Sequence, residues 1–233
     1  MQLNRNRNVI YKTLPVLAAG LLFSSVAYSG AQAYQPLSAS VRGVLHHAVS
    51  DQAAPQPIFS TQQEADIWLN NMPRLLEKRI PDAAYRMDFI KSVYYEAKRA
   101  GLDPLMVLGL IEVESNFRKY AVSKAEARGY MQVMPFWVKQ IGSREDNLFH
   151  LRTTLRYGCT ILRHYLDIEK GDLYRALGRY NGSLGQPGYP NLVRAAWRKY
   201  WDAAPNIRTS LSTRSDTELS VRHAGDSNIP RSD

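Results

Sequence analysis

From Ser60 to Asp202 the apolar residues recur at three- and four-residue spacing, and no segment alternates apolar and polar strictly enough for a strand. The pattern predicts an all-α domain without internal repeats. "STQQEADIWLNNMPRLLEKRI" opens with Thr61 and Glu64 at capping-box spacing, and Pro73 is expected to bend or divide that helix. "PDAAYRMDFIKSVYYEAKRAG" carries proline early and glycine late, as a helix prefers. Asp103 then caps a helix with Pro104 at its first position. Thr153 to Lys170 forms a long amphipathic stretch closed by Gly171, and a shorter one runs from Asp172 to Tyr180. Pro190 opens a last helix that contains Trp197 and Trp201.

The flanks read differently. Residues 1–33 place Arg5, Arg7 and Lys12 ahead of the apolar run "LPVLAAGLLFSSVA", followed by the small residues of "AQA". This is the pattern of a secretory signal peptide cleaved after Ala33, and the run is shorter than the ~20 residues a membrane span needs. The expected mature chain is therefore exported and not an integral membrane protein. Residues 34–59 are rich in Ser, Ala, Gln and Pro and read as a linker; residues 203–233 are polar and read as a disordered tail.

Composition changes this picture in two respects. The chain of 233 residues has a formal net charge of +9, and between residues 60 and 202 there are 22 Lys and Arg against 16 Asp and Glu. The basic excess thus persists in the expected folded part and favours an anionic partner such as cell-wall polymer or a membrane surface. Export and the absence of an aromatic-interleaved basic run argue against nucleic acid. The five histidines show no metal-ligand spacing, and Cys159 has no partner cysteine in the chain. The expectation is no metal, no cofactor and a buried, inert thiol.

One helix holds a chemical contradiction. "DPLMVLGLIEVESNF" is apolar nearly all round, yet it carries Glu112 and Glu114. At 100° per residue Glu114 falls on the stripe of Val107, Leu110, Ile111 and Phe117. A carboxyl buried there must be paired, hydrogen-bonded or protonated, and desolvation raises its pKa toward that of a general acid.

The motifs that follow fit a known pattern. Glu114-Ser115 is followed by Ser123, by "GYMQVMP" from Gly129 to Pro135, by "NLFHLRTTLRYGCTIL" and by Tyr180-Asn181. In that order and at that spacing they resemble the lytic transglycosylase (SLT) domain related to goose-type lysozyme, over about residues 85–200. The resemblance implies a lysozyme-like helical domain with a substrate groove, spanning residues 60–202, that acts as a monomer on peptidoglycan glycan strands in the periplasm or cell wall. It makes Glu114 the sole acid and base, with Tyr180 hydrogen-bonding and orienting it. It assigns glycan contacts to Ser115, Ser123, Met131, Gln132, Met134 and Asn181. Ordinary glycosidases use two carboxylates, and here Glu126, Glu145 and Asp146 stand in no motif that marks a second. The chain departs from the family pattern at Tyr130, at Arg179 and in the "KAEA" loop after Ser123. A hydrolase of lysozyme type and a non-catalytic peptidoglycan-binding scaffold are the alternatives.

Overall fold

Local capping chemistry sets most of the helix starts. Thr61 accepts from the Glu64 N–H, Asp82 from Tyr85, Asp103 from Leu105 and Met106, and Asp172 from Arg175. The computed structural model describes residues 32–50 and 56–203, so the expected leader up to Ala31 and the expected tail beyond Ala203 lie outside the described residues. Among the described residues eight helices follow in order: α1 (Ala39–Ser50), α2 (Gln62–Leu76), α3 (Ala83–Arg99), α4 (Pro104–Ser115), α5 (Pro135–Ile141), α6 (Leu151–Ile168), α7 (Leu173–Asn181) and α8 (Gly188–Ala203). Among the described residues the only β-type pairing is two isolated bridges, Val122 with Arg128 and Arg128 with Val133. The domain is all-α.

Two expectations need correction. The segment read as a linker contains α1, which packs on α5 and α6. His46 Nδ1 donates to Ile141 O at 3.0 Å, Arg99 Nη1 donates to Ala48 O at 2.8 Å, and Leu45 and Val49 are buried. Docking, rather than a strong periodic pattern, makes this helix. Pro73 does not divide α2. The helix runs on through it to Leu76 at the cost of one ladder bond, to the Leu69 carbonyl, and the buried Met72 and Leu76 hold this last turn in the core.

The apolar helix α4 occupies the middle of the domain. Every residue from Pro104 to Ile111 is buried, and the helix lies along α8 while also meeting α3. The approach of α4 to α8 is close because Gly109 has no side chain. A Cβ placed there would stand 2.7 Å from the Trp197 backbone nitrogen. Gly109→Ala is accordingly expected to destabilise the fold by about 1–3 kcal/mol, the usual range for overpacking. Chemical denaturation would read it as a lower midpoint at unchanged slope.

Across the core, α3 and α6 are joined by an ionic cluster. The fully buried Glu96 receives Arg99 Nε at 2.7 Å and Arg156 Nε at 3.2 Å, and Arg156 is itself only 4 % exposed. Cys159 is also buried on α6, and burial, with the Glu96 carboxylate nearby, pushes its thiol well above the usual range.

Candidate active site

The last turn of α4 carries the two glutamates to different fates. Glu112 is tied down by cations and a phenol: Arg79 Nη2 at 3.2 Å, Lys199 Nζ at 2.8 Å and Tyr200 Oη at 2.6 Å. Burial opposes its charge, but these partners prevail and hold its carboxyl below the ordinary range. It clamps α4 to α8 as an anion.

Among the described residues Glu114 has no cation as a hydrogen-bond partner. Tyr189 Oη donates to its Oε1. The residue keeps partial solvent contact, yet protein atoms crowd the carboxyl from most directions. Desolvation pushes its pKa up to about 8, and the Tyr189 hydrogen bond only partly offsets this. The crowding around the carboxyl, rather than the surface of the residue as a whole, governs the proton. At neutral pH the side chain is a protonated acid.

Immediately after Glu114-Ser115 the chain turns with two consecutive left-handed residues, Asn116 at φ 49° and Phe117 at φ 61°. Arg79 donates to the Asn116 side chain and lies over the Phe117 ring at 5.5 Å, and Phe117 packs edge-on against Phe89 and Tyr200. These contacts hold a backbone conformation that ordinary residues seldom adopt.

The loop that follows is knitted by its own backbone. Gly129 N donates to Ala121 O at 2.9 Å, and Arg128 and Val133 exchange two bonds at 3.0 Å. The Gln132 amide donates to Ala121 O and Gly129 O, so its nitrogen braces the loop. Ser123 Oγ accepts from Ala125 and Ala127 at 3.2 and 3.1 Å and shapes the same turn. Met134 is partly exposed beside this loop, whereas Met131 is fully buried.

Several site expectations change. Tyr180 does not bond Glu114: its hydroxyl donates to Met131 O at 2.7 Å, and Tyr189 takes the expected place. The reason is helical position. Tyr180 lies near the end of α7, while the fold-back of α8 against α4 carries Tyr189, on the first turn of α8, to the carboxyl. Tyr180 is nonetheless near enough for the Glu114 charge to raise its phenol further above the usual range, after burial as the main cause. Ser115 is 1 % exposed and donates to Ile111 O at 3.1 Å, a bond within its own helix. Met131 sits against Gly158 as core filler. Asn181 is buried, with Nδ2 donating to Ser183 Oγ at 3.0 Å. Each of these types suits a core as readily as a site, and only burial separates the two. The other carboxylates have local partners: Glu126 pairs with Arg128, Glu145 accepts from Ser143, and Asp146 accepts from Tyr157.

Tyr189→Phe tests the carboxyl's surroundings. Losing a bond that favours the ionised form raises the Glu114 pKa, so the alkaline fall of kcat/KM is expected at higher pH than in the parent. Loss of the orienting bond is expected to cut kcat about tenfold or more. A pH–rate profile reads both effects.

Fold and site together define a helical domain organised around one protonated glutamic acid at the end of a buried helix. Residues 92–190 match the family described as Transglycosylase SLT domain. Among similar proteins is the membrane-bound lytic murein transglycosylase C of Actinobacillus pleuropneumoniae serotype 5b (strain L20), 59 % identical over 39 residues, which are 17 % of this chain and 11 % of the relative. The protein of the same description from Glaesserella parasuis serovar 5 (strain SH0165) is 49 % identical over 47 residues, 20 % of this chain and 13 % of the relative. The transglycosylase of Enterobacteria phage PRD1 is 33 % identical over 88 residues, 38 % of this chain and 32 % of the relative. The chain thus spans between about a tenth and a third of the length of these relatives. No solved structure matches it significantly. Among the described residues no helix is long and apolar enough to cross a membrane, and no group of three His, Cys, Asp or Glu could hold a metal ion.

Proposed function

We propose that the domain is a peptidoglycan lytic transglycosylase that cleaves the bond between N-acetylmuramic acid and N-acetylglucosamine. The observation that carries this reading is Glu114: a crowded carboxyl, protonated at neutral pH and held by a neutral phenol rather than a cation. Glu114 gives its proton to the glycosidic oxygen as the bond to the anomeric carbon breaks. The muramoyl C6 hydroxyl then attacks that carbon and returns its proton to the carboxylate. A 1,6-anhydro ring closes, no water is consumed, and the acid ends as it began. A single group suffices because the proton lost in the first half is regained in the second.

The remaining parts serve this cycle. Tyr189 orients the carboxyl. The Ser123–Gln132 loop presents a rigid wall, and Met134 offers soft apolar surface to a sugar ring. The basic balance of the domain favours strands bearing peptide carboxylates. The same reading has the leader removed and the domain acting as a monomer in the periplasm or at the cell wall.

Mass spectrometry of purified peptidoglycan treated with the protein tests the reaction. Anhydromuropeptides that resist borohydride reduction are expected. Reducing products would make the protein a hydrolase, and a protein that binds the polymer but releases nothing would be a scaffold.

A further inference from the structure

The chain ahead of α1 lies along the site. Gln32 is 5 % exposed, and its carboxamide is held at both ends. Nε2 donates to Gln132 O at 3.4 Å, and Oε1 accepts from Met134 N at 3.3 Å. The same side chain stands within hydrogen-bonding reach of the Tyr180 hydroxyl, and Tyr180 in turn lies close enough to Glu114 to feel its charge. Three further contacts carry the segment away from this point. Tyr34 packs edge-on against Phe136 at 5.5 Å, Gln140 Nε2 donates to Gln35 O at 3.1 Å, and Leu37 packs on the core just before α1 begins. Residues 32–37 therefore form a strap along Gln132–Gln140. A buried carboxamide gripped by one backbone carbonyl and one backbone N–H is bound as a ligand's amide would be.

We propose that this strap is an autoinhibitory element, with Gln32 seated where part of the glycan must lie, and that removal of the leader after Ala33 releases it. The expected cleavage point falls between Gln32 and Tyr34. Processing takes away the residue that fills the position and leaves the segment from Tyr34 onward, which packs beside the loop on Phe136 and Gln140. The two bonds made by Gln32 are long and neutral, so each is weak. Tethering gives them a high effective concentration, and even weak contacts then compete with a dissolved ligand. The device would keep a leader-bearing chain silent until a peptidase has acted. The nature of what is shut out rests on the glycan-cleaving reading, but whether the strap is seated does not.

Three proteins test this: the uncleaved 233-residue chain, its Gln32→Ala variant, and the chain processed by signal peptidase. The first readout is the affinity for the N-acetylglucosamine trimer, followed by tryptophan fluorescence. The second is hydrogen exchange at the Met134 amide, whose proton Gln32 Oε1 accepts. The Gln32→Ala and processed forms are expected to bind the trimer five- to tenfold more tightly than the uncleaved parent, and to exchange the Met134 amide faster. Equal affinities in all three would overturn the proposal, as would an unchanged Met134 exchange rate. If no form binds the trimer, the glycan reading fails, while the Met134 amide still reports whether the strap was seated.

Discussion

Glu114→Gln is expected to fold, to bind peptidoglycan, and to release product at least about a thousandfold more slowly than the parent, within or beyond the 10²–10⁴ range for a lost general acid. The amide keeps the shape of the side chain and still accepts from Tyr189, so the loss falls on proton transfer. The parent should also show kcat/KM falling as pH rises through about 8, where the acid ionises. The same substitution is expected to raise stability at neutral pH. The Glu114 pKa is higher in the folded state than in the unfolded chain, so the native protein binds more protons between about pH 4.5 and 8. Stability of the parent therefore falls as pH rises across that window. Glutamine removes this dependence. The difference in melting temperature should be smallest at acid pH and should widen up to about pH 8. A variant that remains active would remove Glu114 from the reaction. Equal melting temperatures at every pH would show that the carboxyl is not desolvated.

The second large effect belongs to Glu96. Glu96→Ala is expected to destabilise the domain by about 3–5 kcal/mol, because it strands Arg156 in the core without its carboxylate. Measured against the 5–15 kcal/mol typical of a folded domain, this is a large share. Arg99 lies closer to solvent, and its remaining bonds to Ala48 O and Thr160 Oγ1 connect α3 to α1 and α6. Urea denaturation would read the loss directly. Replacing the whole cluster, with Glu96→Met, Arg99→Leu and Arg156→Leu together, should restore much of it, since well-packed apolar groups often equal a buried ion cluster. A Glu96→Ala variant within about 0.5 kcal/mol of the parent would mean that Arg156 reaches water.

What could be read in advance followed the range of the interaction. Helix starts at Asp103 and Asp172 were legible because an aspartate caps backbone groups only two or three residues away. The desolvation of the Glu114 carboxyl was legible for a similar reason, since its conflict with an apolar helix is visible within one stretch. Tyr189 was not. Its meaning arises from a contact spanning 75 residues, created only when α8 folds along α4. Met131 and Ser115 carried the right motif, but a motif does not show which of its side chains turn inward. Helix α1 was hidden because its own pattern is weak and its partners, Ile141 and Arg99, lie far along the chain.

The left-handed turn at Asn116 and Phe117 carries one more consequence. By ending α4 at Ser115 it places Glu114 in the helix's final turn, where the unpaired carbonyls gather the negative pole of the aligned peptide dipoles. That pole disfavours a second negative charge beside it and so adds to the carboxyl's hold on its proton. Part of the carboxyl's raised pKa is thus written into the course of the backbone rather than into any side chain that touches it. Substitutions that let the helix run on past Asn116 would move the pole away and make Glu114 a stronger acid, ionised at lower pH.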